Sequence, residues 1–168
     1  MFVKLQYVPV GRIVNTHGVR GEVRALPDGG KPDFLTRFRT FRLDGVPVPV
    51  ESARVHKGFA LLRFRGVDDM DAAAALKGHV LSIDRADAPD VPFFDAELIG
   101  MDVYDAASGQ RIGELTDVET YPASKVYTVR GEHTYLVPAV PDAFILSVDV
   151  DGNRMDIRMW EGLAQDAD

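Results

Sequence analysis

Residues 11–26 read GRIVNTHGVRGEVRAL. A histidine at position 17 stands beside Gly18 and four residues before Gly21, and short apolar-rich runs lie on either side. In the run that follows, Val23 and Ala25 alternate with Glu22 and Arg24, the period of a half-buried strand. Glycine marks a backbone that must bend or approach something closely. The stretch therefore predicts two strands meeting through a tight, irregular loop at Gly18 and Gly21, with His17 hydrogen-bonding inside that loop.

The same alternation recurs on both sides of this hairpin. In FALLRFRGV, Ala60, Leu62 and Phe64 alternate with Leu61, Arg63 and Arg65. RLDGVPVPVESARV reads as a strand, an Asp44-Gly45 turn and a second strand whose prolines push it toward a sheet edge. One short helix is expected near 68–77, from Asp68 as N-cap, through four alanines, to Gly78 as the stop. The strand HVLSI follows.

DRADAPDVPFF, from Asp84, carries two prolines and three aspartates and reads as a linker. Beyond it the strands resume. ELIGMDVY leads to the turn DAASGQ and to RIGELTDV, and KVYTV turns at RGEH into TYLVP. Last, Leu146, Val148 and Val150 pair through DGN with Met155, Ile157 and Met159. Many short strands joined by glycine-containing turns predict a mainly β chain with a small barrel in each half. The expected division is 1–84, a linker at 85–92, and 93–168.

Charge divides at the same place. Residues 1–84 hold 13 Lys and Arg against 9 Asp and Glu, a net of +4. Residues 85–168 hold 6 against 17, a net of −11. Such a split suggests two lobes with different partners. There is no cysteine, so disulfides and thiolate metal sites are excluded and a cytoplasmic address is expected. The sequence carries no run of membrane-spanning length, and its first residues, MFVKLQYVPVGR, do not read as a signal peptide.

Little in the chain looks like catalysis. Tyr121 and Lys125 in YPASK have the spacing of the short-chain dehydrogenase pair, but no glycine-rich phosphate loop precedes them. DVDGN at 149–153 has its glycine in the wrong place for a calcium loop. His17, His56, His79 and His133 show no ligand spacing. No catalytic residue, metal or cofactor is therefore assigned. The basic half instead offers Arg12, Arg20, Arg24, Arg37, Arg39, Arg42, Arg63 and Arg65, with Phe34, Phe38, Phe41 and Phe59 among them. Guanidinium forks suit phosphates and aromatic faces suit bases. The plainer reading is a basic surface over a phenylalanine core. At the linker, Phe93 and Phe94 are adjacent, so in a strand they point to opposite faces and at most one enters a given core. The other is exposed, where it would be a hot-spot candidate, or packs between the lobes.

Taken in order, Gly11, THGVRGEV with His17, Gly18 and Gly21, FFDAELIGMDVYDAASGQRIGEL, YLVPAV, VDVDGNRMDIRM and WEGL resemble the RimM family of ribosome maturation factors. The resemblance implies a translation-factor-like barrel followed by a PRC-type barrel. It implies a monomeric assembly factor, with no cofactor and no small-molecule substrate. Such a factor binds ribosomal protein S19 in the head of the small (30S) subunit and assists 16S rRNA maturation. Phe93, Phe94, Arg12, Arg20 and Arg24 become the expected ribosome-binding residues, with RNA contact by His17 as a sharper alternative. Two departures stand out. The family's aromatic pair is usually tyrosine or tryptophan, and Lys125 stands where an acid is common. A general RNA-binding barrel without a dedicated protein partner is the second reading, and a small dehydrogenase a remote third.

Overall fold

The computed structural model describes residues 5–164, so the outermost positions of the two expected domains, 1–4 and 165–168, lie outside the described residues. The chain divides into two compact units, one spanning Leu5–Val91 and one beginning at Pro92.

In the first unit, β1 (Tyr7–His17), β2 (Glu22–Pro27), β3 (Thr40–Leu43), β4 (Val46–His56), β5 (Phe59–Phe64) and β6 (Val80–Asp84) form a closed barrel. The order is β1-β2-β5-β4-β3-β6, and β6 returns antiparallel to β1. Closure follows from the length of β1. Its eleven residues pair with β2 along one edge and β6 along the other, and an extra residue is inserted at Val10 against β6 and at Val14 against β2. Such bulges bend a strand and deepen its twist.

Inward positions are apolar at every second residue. Val23 and Ala25, Ala60, Leu62 and Phe64, Phe41 and Leu43, and Leu81 and Ile83 are all buried. Phe38, Phe41 and Phe64 meet edge to face. A 3-10 turn at Pro32–Arg37 adds the fully buried Leu35.

Three local expectations are corrected. The prolines do not make β4 an edge, because it lies between β5 and β3. Pro49 accepts the Arg65 N–H at 2.9 Å, so its nitrogen, and that of Pro47 two residues back, faces away from β3 where β5 has ended. A missing N–H costs no ladder bond there. The helix α1 is shorter than expected, Met70–Ala74, and its cap is Asp69, which accepts the Ala72 N–H at 2.8 Å. Asp68 pairs instead with Arg63 at 2.6 Å. Residues 85–91, read above as linker, fold onto the first unit. Arg85 donates to the Val91 carbonyl at 2.7 Å, Arg37 pairs with Asp90 at 2.7 Å, and Ala88 is buried.

In the second unit, α2 (Asp95–Leu98) precedes β7 (Asp102–Asp105), β8 (Arg111–Tyr121), β9 (Ser124–Arg130), β10 (Thr134–Pro138), β11 (Ile145–Asp149) and β12 (Arg154–Ile157). The sheet order is β10-β9-β8-β7-β12-β11, antiparallel throughout except that β12 runs parallel to β7. Tyr135 and Val137 from one end of that order share a single core with Ile145 from the other, so the sheet wraps around it. Leu98, Met101, Val103, Leu115, Val129, Met155 and Ile157 fill the middle. Glu97 and Leu98, expected to open a strand, lie in helix α2. Buried Glu97 accepts the Phe94 N–H at 2.9 Å, which caps the turn, and Gly100 at φ +86° ends it.

Candidate functional site

The β1–β2 connection gives each of its glycines a different task. Gly18 has φ +67° with open space around it, so only the turn itself demands glycine. Gly21, at φ +95°, is pressed against the backbone of Val67, whose carbonyl oxygen a Cβ would overlap. Gly11 lies in the strand, where a Cβ would come within 2.5 Å of the Leu26 carbonyl oxygen and 3.2 Å of Leu35. Between the two loop glycines Val19 is 71% exposed, and Arg20 is exposed with no ion pair or hydrogen bond among the described residues. Arg20, Glu22, Ser52, Arg63 and Asp68 line a shallow open depression.

The outer face of β1, β2, β5 and β4 gathers a group that sequence spacing could not reveal. Arg24 lies against His17 Nδ1, with its Nε at 3.4 Å and a terminal nitrogen at 3.3 Å, and its guanidinium lies 5.7 Å from the Phe59 ring centre. His56, brought from the end of β4, sets its ring edge-on to His17 at 5.4 Å. Arg54 forks onto Glu22 with two bonds of 3.2 Å. That bond first, and the positive neighbours after it, hold the Glu22 carboxyl below the usual range against the opposing effect of burial. His56 is also pushed down, first by burial and then by Lys57, His17, Arg54 and Arg24.

The expected residues thus separate. His17, Arg24 and, at the loop tip, Arg20 lie at one end of the barrel. Arg12 stands five positions back along β1, exposed between Leu26 and Val80, and makes no ion pair among the described residues.

In the second unit Phe93 is half-buried and packs on the core. Phe94 is half-buried at the start of α2, so neither ring is fully exposed. Next to them Asp95 pairs with Lys125 at 2.5 Å, fastening α2 to β9. Beneath, burial and then the nearby Asp95 push the Tyr127 hydroxyl up to about 12. Tyr121 donates to Glu119 at 2.5 Å, which raises its pKa, the opposite of what a dehydrogenase phenol needs. Lys125, bonded to Asp95, is not free to assist it.

The family model for the RimM N-terminal domain matches residues 8–88, and that for the RimM PRC barrel domain matches residues 95–163. The chain belongs to the RimM family. It is 37% identical to a ribosome maturation factor RimM of Acetivibrio thermocellus, over 96% of this chain and 98% of that protein. Those of Lactobacillus delbrueckii subsp. bulgaricus and Limosilactobacillus reuteri are 35% and 34% identical, over 95% of this chain and 99% of theirs. Among solved structures, a 16S ribosomal RNA processing protein RimM of Pseudomonas aeruginosa covers 91% of this chain at 25% identity, with a TM-score of 0.46 and 97% of its own length matched. Within the RimM frame, the histidine and arginine cluster belongs to the N-terminal domain. Phe93 and Phe94 fall just before the matched part of the PRC barrel. His56, Glu22 and Arg54 were not singled out in the sequence as site residues, and the only signal for them was polarity in strands of known period.

Proposed function

We propose that this RimM protein assists maturation of the small ribosomal subunit in the cytoplasm, as a monomer that uses no cofactor. In this reading its second unit docks on S19 in the 30S head through the Phe93–Phe94 segment, and its first unit holds neighbouring immature 16S rRNA. The observation that carries the reading is the match to both RimM domains, in order, shared at nearly full length with relatives named ribosome maturation factors. Charge supports the division of labour. An acidic half suits a basic ribosomal protein, and a basic half suits RNA. Arg12 and Arg20, without ion pairs among the described residues, are placed to meet phosphates.

Co-sedimentation of the full chain with immature small subunits, followed by nuclease treatment and recovery of bound protein, tests this. S19 should remain bound after the RNA is digested. Retention of RNA alone would point to a general RNA-binding barrel, and absence of both would overturn the reading.

A further inference from the structure

The histidine and arginine cluster on the first barrel is an electrostatic anomaly. Three permanent cations, Arg24, Arg54 and Lys57, surround two imidazoles, and Glu22 is the carboxylate that the cluster holds. That carboxylate is already occupied by the Arg54 fork. Arg24 therefore directs its guanidinium at an imidazole nitrogen rather than at an anion. A guanidinium carries five N–H donors, so this contact leaves most of its capacity unused.

For the bond to exist, His17 Nδ1 must be unprotonated, which places the ring proton on Nε2 and makes that edge a donor. The edge-on His56 ring lies 5.4 Å away, and the Phe59 ring centre lies 5.7 Å from the Arg24 guanidinium. The charged and titratable groups around it are His17 from β1, Glu22 and Arg24 from β2, Arg54 and His56 from β4, Lys57 from the turn that follows, Arg63 from β5, and Arg20 and Asp68 beside Glu22 and Arg63. Arg63 is bonded to Asp68. Both carboxylates here, Glu22 and Asp68, are taken by Arg54 and Arg63, so Arg24 is left without an anion.

We propose that His17, Arg24 and His56 form a seat for one backbone phosphate of single-stranded RNA, and that filling it draws a proton onto the His56 ring. This rests on the reading that the first unit faces RNA. Arg24 turns from His17 to the phosphate in a charge-assisted fork, and Phe59 offers an apolar face beside it. Burial first, and the neighbouring cations after it, disfavour a charged His56; the phosphate offsets the cations, so the ring takes a proton from solvent as the anion arrives. Association then tightens as pH falls.

The test uses the full chain and a short oligouridylate, with binding measured against pH and salt and the histidine ring protons followed by NMR. Affinity should be about tenfold higher near pH 5.5 than near pH 8, because linkage gives tenfold for each unit by which the phosphate raises an imidazole pKa. The His17 and His56 signals should shift on binding. Arg24→Gln should weaken binding about tenfold and flatten the salt slope by about 0.7, the share of one phosphate contact on a single strand. His56→Gln should bind with its pH dependence removed. Circular dichroism of each variant checks that the barrel is intact.

RNA binding that leaves both histidine signals unmoved, or that Arg24→Gln does not weaken in a folded barrel, overturns the seat while leaving the first unit's RNA role standing. Failure of every form to bind RNA overturns that role and the seat together. Inorganic phosphate, titrated separately, should move the same signals only weakly. If it moves them while RNA does not, the seat serves a free anion and the RNA proposal is wrong.

Discussion

Gly18 and Gly21 allow the packing argument to be tested by a matched pair of substitutions. Both have positive φ, so alanine at either meets the left-handed penalty of about 1–2 kcal/mol. At Gly18 nothing else lies within 4 Å, and the cost stops there. At Gly21 the added methyl is driven into the Val67 carbonyl, with Val67 C at 2.7 Å and Asp68 N at 3.1 Å. These are backbone atoms in the connection between β5 and α1, so relief requires moving the chain. Overpacking of this kind costs about 1–3 kcal/mol more. Gly21→Ala should therefore destabilise by about 2–5 kcal/mol, a large part of the ~5–15 kcal/mol typical of a domain.

Urea titration followed by circular dichroism measures this on the full chain. Trp160 is the single tryptophan and lies in the second unit, so its fluorescence reports that unit separately. In thermal melts each kcal/mol should lower the first unit's transition by about 4–8 °C. Equal losses for Gly18→Ala and Gly21→Ala would refute the claim that Val67 closes over Gly21.

Phe93→Ala should destabilise the second unit by about 1–3 kcal/mol, scaled down from a fully buried ring because Phe93 is half-buried, and calorimetry will show it. Phe94→Ala should instead cost more in S19 binding than in melting temperature. Lys125→Met removes the Asp95 ion pair and should lower stability by about 1 kcal/mol, measured by urea denaturation. Tyr127 ionises near 12 in the fold against 10 in the unfolded chain. The neutral phenol's contribution is thus complete below pH 10 and lost as pH rises toward 12, seen as a falling melting temperature and one late-titrating tyrosine absorbance. Glu22 has a lowered pKa, so its contribution is complete above about 4.5 and lost in acid. Arg54→Gln should bring the carboxyl back up, followed by carbon NMR.

Strand periodicity was legible wherever a strand keeps one parity. Val23 with Ala25, the Ala60–Leu62–Phe64 set, and Met155 with Ile157 all face inward as their alternation requires. It failed only at the start of β11, where an irregularity between Ile145 and Ser147 shifts the parity; Val148 and Val150 pack on the core as expected. Ile145 is buried and Leu146 exposed, the reverse of what the alternation from Leu146 requires. The four-residue α2 is too short for a helical period to register, and the cap of α1 falls one residue past the Asp68 read from the sequence. His17 and Arg24 were each visible on one hairpin, but His17, expected to bond inside the loop, meets Arg24 of β2 instead. Their meeting with His56 depends on β4 reaching the same face through β5, a tertiary fact that no local spacing encodes.

The parallel pairing of β12 with β7 bears on the order in which the chain acquires its shape. Arg154 pairs with Asp102, and Ile157 with Asp105, across some fifty intervening residues. The first barrel closes when β6 reaches β1, and every strand it needs has emerged by Asp84. During vectorial synthesis, where domains fold as units from the N-terminus, the first unit can become native while the second still waits for its final strand. Until Arg154–Ile157 arrives, β7 offers a bare edge to its surroundings. The basic half can thus reach its native fold before its acidic companion, and truncation ahead of β12 would leave the second half without the strand that joins β11 to the sheet.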